Sequence, residues 1–151
     1  VRALLQRVTR ARVVVEGRTT GEIGPGLVAL VGVTHSDRAD DADRLAGKVA
    51  GLRVFADLEG RMNRDVREAG GGVLAVPQFT LYADAAHGRR PDFVAAARPE
   101  HAEPLFRRFC SSLEAQDVRV ERGVFRACMS LELVNDGPMT ILLESPAGAR
   151  A

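Results

Sequence analysis

Seven consecutive residues without a polar side chain, Leu27-Val28-Ala29-Leu30-Val31-Gly32-Val33, most restrict what this chain can fold into. Such a run between turn signals reads as a fully buried β-strand. It falls well short of the roughly 18 apolar residues a membrane helix needs. Gly24-Pro25-Gly26 marks a turn directly before it. A strand of this kind needs a core around it, and the composition supplies one. Of 151 residues, 46% are apolar and 27% charged, with a formal net charge of +1. Those proportions predict one soluble globular domain over 1–151. The near-neutral balance excludes a binder that works by bulk positive charge, though not a local basic patch. All but one of the basic residues are Arg, Lys48 being the exception; Arg suits bidentate phosphate contacts, but genomic base composition is the plainer reading of that bias.

The first third reads as strands. Ala3–Val8 and Arg12–Glu16 alternate, and Gly17-Arg18 turns the chain into Thr19–Ile23. A helix is expected from Asp37 to about Val54, with Leu45, Val49 and Leu52 on its apolar face. Residues 57–72 read as a loop, and Val73–Val76 as a short buried strand. Pro99–Gln116 is expected to form a second helix, with Leu105, Phe106, Phe109 and Leu113 inward and Pro104 in its first turns. Val118–Glu121, Cys128–Val134 and Thr140–Glu144 complete the strands, and the tail after Ser145 is expected to fray. The fold class that follows is mixed α/β: a mostly antiparallel, barrel-like sheet with two main helices packed on it.

The common catalytic signatures are missing. There is no G-x-S-x-G elbow, no P-loop and no G-x-G-x-x-G after a strand. Cys110 and Cys128 are too few for a disulfide scaffold and read as reduced thiols of a cytoplasmic protein. His35, His87 and His101 show no ligand spacing, so neither a metal nor another cofactor is expected. The N-terminal residues lack the apolar stretch of a secretory signal.

Two segments stand apart. In Pro77-Gln78-Phe79-Thr80-Leu81, a proline follows directly on a buried strand, so ladder pairing must lapse there. The N–H groups of Gln78, Phe79 and Thr80 would then be free to face a ligand; the plainer reading is an ordinary strand end. Asn135-Asp136-Gly137-Pro138 lies between two apolar strands and reads as a hairpin turn, for which Asp-Gly is suited. Alternatively, a rigid Gly137-Pro138, a bond type that adopts cis far more readily than others, would present two carbonyls for capture of an ammonium group.

With these segments in view the chain strongly resembles the D-aminoacyl-tRNA deacylases, also called D-Tyr-tRNA deacylases. The resemblance runs through Leu5-Gln6-Arg7-Val8, Gly32-Val33-Thr34, Gln78-Phe79-Thr80-Leu81-Tyr82-Ala83, Gly88-Arg89-Arg90-Pro91 and Leu133-Val134-Asn135-Asp136-Gly137-Pro138-Met139-Thr140. It implies the fold of that family and hydrolysis of the ester joining a D-amino acid, or glycine, to the 3′-terminal adenosine of tRNA. It also implies a homodimer with each site at the subunit interface and no membrane association. Gly137 and Pro138 of one subunit would hold the substrate's α-ammonium in the other's pocket, so that an L side chain clashes. Arg7, if it does not simply face solvent, would fix that segment. Phe125 and Met129 would line the adenine pocket unless they serve only the core. Arg89 and Arg90, with His87, would contact tRNA phosphates unless they form a merely solvated loop.

Two departures from the family pattern bear on substrate range. Pro77 stands where the family has Ser, which makes Pro77-Gln78 similar to a sister group of animal deacylases. Arg126 stands within Phe125-Arg126-Ala127, where Gly is usual; it would narrow the adenosine pocket or add a phosphate contact. For the reaction, Gln78, Phe79 and Thr80 are the catalytic candidates. The Phe79 and Thr80 N–H groups would stabilise an oxyanion, with the 2′-hydroxyl assisting attack by water. Thr80 lacks an apparent base, so a positioning role is expected rather than a nucleophilic one. The alternative from another class is a catalytically impaired tRNA- or nucleotide-binding module of the same fold. A metal-dependent small-molecule hydrolase is a third, weaker reading.

Overall fold

The computed structural model describes residues 1–145; the fraying expected after Ser145 lies outside the described residues. Its centre is a parallel pair, β3 (Gly26–Gly32) beside β6 (Gly72–Pro77). Both strands are buried on two faces, which is why their sequences are continuously apolar rather than alternating. Around this pair the order is β2 (Arg18–Ile23), β1 (Arg2–Val15), β3, β6, β7 (Arg119–Arg122), and β8 (Ser130–Glu144) joins the other side of β1. The pairings of β1 with β2, β3 and β8 are antiparallel, while β3–β6 and β6–β7 are parallel. The two ends of the order meet. Arg119 donates to the Glu22 carbonyl at 3.3 Å, and Gly21 lies against the Arg122 backbone, so the sheet curls into a nearly closed barrel.

Val8, Ala11, Val13, Ile23, Val28, Leu74 and Val76 fill the barrel interior. The other faces of β3 and β6, through Leu27, Ala29, Val31, Val73 and Ala75, meet α1 (Ala39–Gly51) and α2 (Pro99–Glu114). Val8, Ala11 and Val13 share one face only because β1 slips register between Val8 and Arg10; without that irregularity, period-two alternation would turn Val8 away from the other two.

Several sequence expectations are corrected. Ala3–Val8 and Arg12–Glu16 are one strand, β1. The first helix does not begin at Asp37. It begins at Ala39, where Asp41 reaches back to accept the Arg38 N–H at 2.8 Å. Asp37 instead accepts the Thr34 N–H at 2.8 Å. The 57–72 region is not all loop: β4 (Phe55–Ala56) pairs with β5 (Met62–Arg64).

The largest correction concerns residues 130–144. Both flanks of Asn135–Met139 run antiparallel to the same strand β1, as a hairpin's two arms cannot. The segment is an excursion within one strand, and no hairpin turn is present there. Gln6 pairs with Thr140 and Val8 with Asn135, so Asp136–Met139 stand opposite Arg7 alone. No helix among the described residues is long and apolar enough to cross a membrane.

Candidate active site

β6 ends at Pro77, but its pairing with β3 runs one residue further. The Gln78 N–H makes a last bond to the Val31 carbonyl at 2.8 Å, and the chain then winds into a 3₁₀ turn, Phe79–Tyr82. Gln78 is therefore not one of the free N–H groups the sequence suggested, because the edge of β3 still reaches it. Phe79 and Thr80 open the turn, and the first N–H groups of a helix have no partner inside it. Gly32 makes this close turn possible. A Cβ there would lie 3.0 Å from the Gln78 carbonyl oxygen and 3.1 Å from the Leu81 Cβ.

Arg2 clamps the turn from β1, a role that sequence reasoning missed. Its Nη1 donates to the Leu81 carbonyl at 2.8 Å, its guanidinium lies 4.3 Å from the centroid of the Tyr82 ring, and its Nε pairs with Glu144. Burial raises the Tyr82 phenol above its ordinary pKa, so it stays protonated. An Arg near a strand start is too common a feature to have announced this contact.

Beside the turn opens a cavity of about 630 Å³. Pro77, Gln78 and Phe79 line one side, and Phe125, Arg126 and Met129 another. The rest is apolar, with Val31, Val33 and Phe106 among its walls. Phe79 meets Phe93 edge-on with ring centroids 5.2 Å apart, and Phe125 tilts on Phe106 at 6.3 Å. The expected neighbours Gln78, Phe79, Phe125 and Met129 thus come together; Phe93 and Phe106 join them from segments that carried no functional signal. Thr80 does not line the cavity. Its hydroxyl accepts a hydrogen bond from the Gln78 side-chain amide, which cannot take up a proton.

Gly137 and Pro138 do not line this cavity either. They are exposed at the crest of the excursion, joined by a cis peptide bond. Arg7 is held, not solvated. Its Nε donates to the Asp136 carbonyl at 3.0 Å and stands 3.2 Å from the Asp136 carboxylate, and its Nη1 donates to the Val54 carbonyl at 2.5 Å. The Asn135 amide donates to the Arg7 carbonyl at 2.8 Å and to the Met139 carbonyl at 3.2 Å, closing the base of the excursion. A Cβ on Gly137 would stand 2.3 Å from the Asn135 Oδ1, so a larger residue there requires the Asn135 amide to shift.

Arg89 and Arg90, with His87, are exposed on a loop pinched at its base by paired backbone bonds of 2.9 Å between Asp84 and Asp92. Among the described residues no acidic partner holds either Arg. The same loop leaves the 3₁₀ turn and delivers Phe93 to the cavity, so its basic tip and the cavity mouth share one connection.

Comparison with known proteins bears on the family and the fold. The family model described as D-Tyr-tRNA(Tyr) deacylase matches residues 4–144. A protein of Symbiobacterium thermophilum named D-aminoacyl-tRNA deacylase is 61% identical over 145 residues, spanning 96% of each chain. One of the same name from Thermus aquaticus is 51% identical, over 96% of this chain and 95% of its own. Among solved structures, one titled c-Myc DNA Unwinding Element Binding Protein superposes with a TM-score of 0.90 at 37% identity, covering 97% of this chain and 99% of that one. Another, titled as a probable eukaryotic D-amino acid tRNA deacylase, superposes at 0.81 over 95% of this chain and 98% of its own; at 17% identity it speaks for the fold alone.

The family model and these relatives make the chain a hydrolase. The chain belongs to the D-Tyr-tRNA(Tyr) deacylase family.

Proposed function

We propose that this chain hydrolyses the ester of D-aminoacyl-tRNA, and of glycine mischarged on tRNA for alanine, releasing the free amino acid and tRNA. The observation that carries the reading is the apolar cavity between Phe125 and Met129 on one side and the Gln78–Phe79 turn on the other. Flat apolar walls suit an adenine face, and a cavity of about 630 Å³ falls within the range that holds small ligands. With the terminal adenosine seated there, the ester comes to the open end of the 3₁₀ turn.

An aminoacyl ester is already activated, so orientation and charge stabilisation suffice. Water attacks the ester carbonyl with help from the neighbouring 2′-hydroxyl. The Phe79 and Thr80 N–H groups hold the oxyanion, Gln78 and Thr80 position the turn, and the ribose 3′-oxygen leaves with a proton. No step calls on a metal or cofactor.

Chirality is read by exclusion. The Gly137 and Pro138 carbonyls take the α-ammonium, so that only D side chains and glycine have room. Because those residues are exposed and do not line their own cavity, they act in the site of a second copy, and the working unit is a homodimer. Arg7 fixes the excursion that presents them, and Arg89 and Arg90 meet tRNA phosphates. The protein acts where charged tRNA is found, in the cytoplasm, as a proofreader of translation.

The test is hydrolysis of D-Tyr-tRNA and L-Tyr-tRNA side by side, with and without chelator. Rapid loss of the D ester alone, indifferent to chelator, is the expected result. Tight binding without hydrolysis would replace this reading with a catalytically impaired tRNA-binding module.

A further inference from the structure

Arg126 is the one charged residue lining the cavity among the described residues. Its backbone is unusual as well. The Ala127 N–H bonds to the Val124 carbonyl at 3.3 Å, and Arg126 occupies the third position of that turn with φ 66°. Turns with positive φ there favour Gly or Asn, because a Cβ crowds the backbone. The chain thus keeps a long cationic side chain where the backbone favours none, at the rim of this cavity. Strain of this kind at a cavity motivates a search for function.

The guanidinium is available. Its Nη2 stands 3.8 Å from the Glu100 carboxylate, beyond hydrogen-bonding distance, and both side chains are more than half exposed. An ion pair so exposed is weak, so Arg126 can exchange it for a ligand without stranding a buried charge.

The charge also decides which end of a substrate lies here. An aminoacyl ester carries an α-ammonium, which a guanidinium repels. The other end of the terminal adenosine carries a phosphodiester, which a guanidinium binds through two parallel hydrogen bonds.

We propose that Arg126 is a specificity-determining residue that binds the 5′-phosphate of the terminal adenosine at the cavity rim and so directs the ester toward Phe79 and Thr80. The identity of the ligand rests on the deacylase reading above. The anion preference of the site can be measured without it.

The experiment is calorimetric binding of 5′-AMP and of adenosine to the full chain and to Arg126→Gln and Arg126→Gly. The wild type should prefer 5′-AMP by about tenfold, the scale of a charge-assisted contact. Both variants should bind the two ligands alike, with adenosine affinity kept. In D-Tyr-tRNA hydrolysis by Arg126→Gln, the loss should fall on KM rather than on kcat. A 5′-AMP preference that survives in both variants overturns the proposal, and so does a wild type that does not distinguish the ligands. A wild type that hydrolyses no D-aminoacyl ester, yet loses its 5′-AMP preference with Arg126, upholds the phosphate site and refutes the deacylase reading instead.

Discussion

Arg7 and Asp136 face each other across the β1–β8 ladder, the guanidinium Nε 3.0 Å from the Asp136 carbonyl oxygen and 3.2 Å from its carboxylate. A second arm of the same guanidinium reaches the Val54 carbonyl, where α1 runs toward β4. One side chain therefore sets the excursion of β8 relative to the segment that follows α1.

Arg7→Ala should loosen that excursion. Hydrogen bonds to a charged group contribute about 1.5–3 kcal/mol each, so denaturant titration should register a loss of that order. The ratio of D to L hydrolysis should fall about tenfold or more, as about 1.4 kcal/mol of lost discrimination would produce. Full protection of L-Tyr-tRNA in the variant would remove Arg7 from chiral selection.

Gly137→Ala tests the excursion from its other side. The added Cβ displaces the Asn135 amide from its bonds to Arg7 and Met139. We expect a destabilisation of about 0.5–1.5 kcal/mol, the net worth of an exposed hydrogen bond whose partners water can satisfy, together with loss of deacylation. A variant with wild-type stability would mean that Asn135 can move aside at little cost.

Thr80→Val removes the hydroxyl that accepts from Gln78 and leaves the backbone N–H in place. Activity within about tenfold of wild type is expected, since a positioning hydrogen bond contributes only about 1 kcal/mol. A loss of several orders of magnitude would restore Thr80 as nucleophile.

Arg89→Ala with Arg90→Ala should raise KM for tRNA substrates and leave 3′-D-aminoacyl-adenosine untouched. Each lost phosphate contact should flatten the dependence of log affinity on log salt by about 0.7–0.9. An unchanged salt slope would return both residues to the solvated surface.

Alkaline pH should weaken the fold through Cys110. Burial raises this thiol from 9.0 to about 11. The native state therefore holds its proton after the unfolded chain has released it. The contribution is complete below pH 9 and is lost as pH rises toward 11, by about 2–3 kcal/mol at most. Melting temperatures across that window should fall, and Cys110→Ala should flatten the fall. An identical slope in the variant would assign the effect to other groups, Tyr82 among them.

Much of this architecture was legible in the sequence. The two central strands announced themselves as continuous apolar runs, though not their parallel pairing, and both helices showed their inward faces. Pro77 marked the end of β6 to within one residue, the Gln78 N–H still bonding the Val31 carbonyl. Legibility ended where long-range pairing decided the outcome. Asp136-Gly137 satisfies the local rule for a hairpin, and only the presence of β1 alongside both flanks makes it an excursion instead. Gln78 likewise lost its expected freedom to Val31, a partner far off in sequence. Arg2 and Phe93 gave no local sign of their place at the site, because their contacts exist only once β1 and the 84–92 loop have folded against the 3₁₀ turn.

The excursion in β8 also separates two kinds of change the chain can tolerate. Inserting one residue between Leu131 and Leu133 would shift the pairing with β1 and send the next side chains to the opposite face. Inserting one within residues 136–139 leaves both flanking ladders in register, because that stretch already lies outside the pairing. Length at the crest of β8 is therefore limited by what the crest presents and not by the sheet beneath. Asn135 and Arg7 hold it at its base, so an insertion there would move Gly137 and Pro138 while every ladder pair stayed in place.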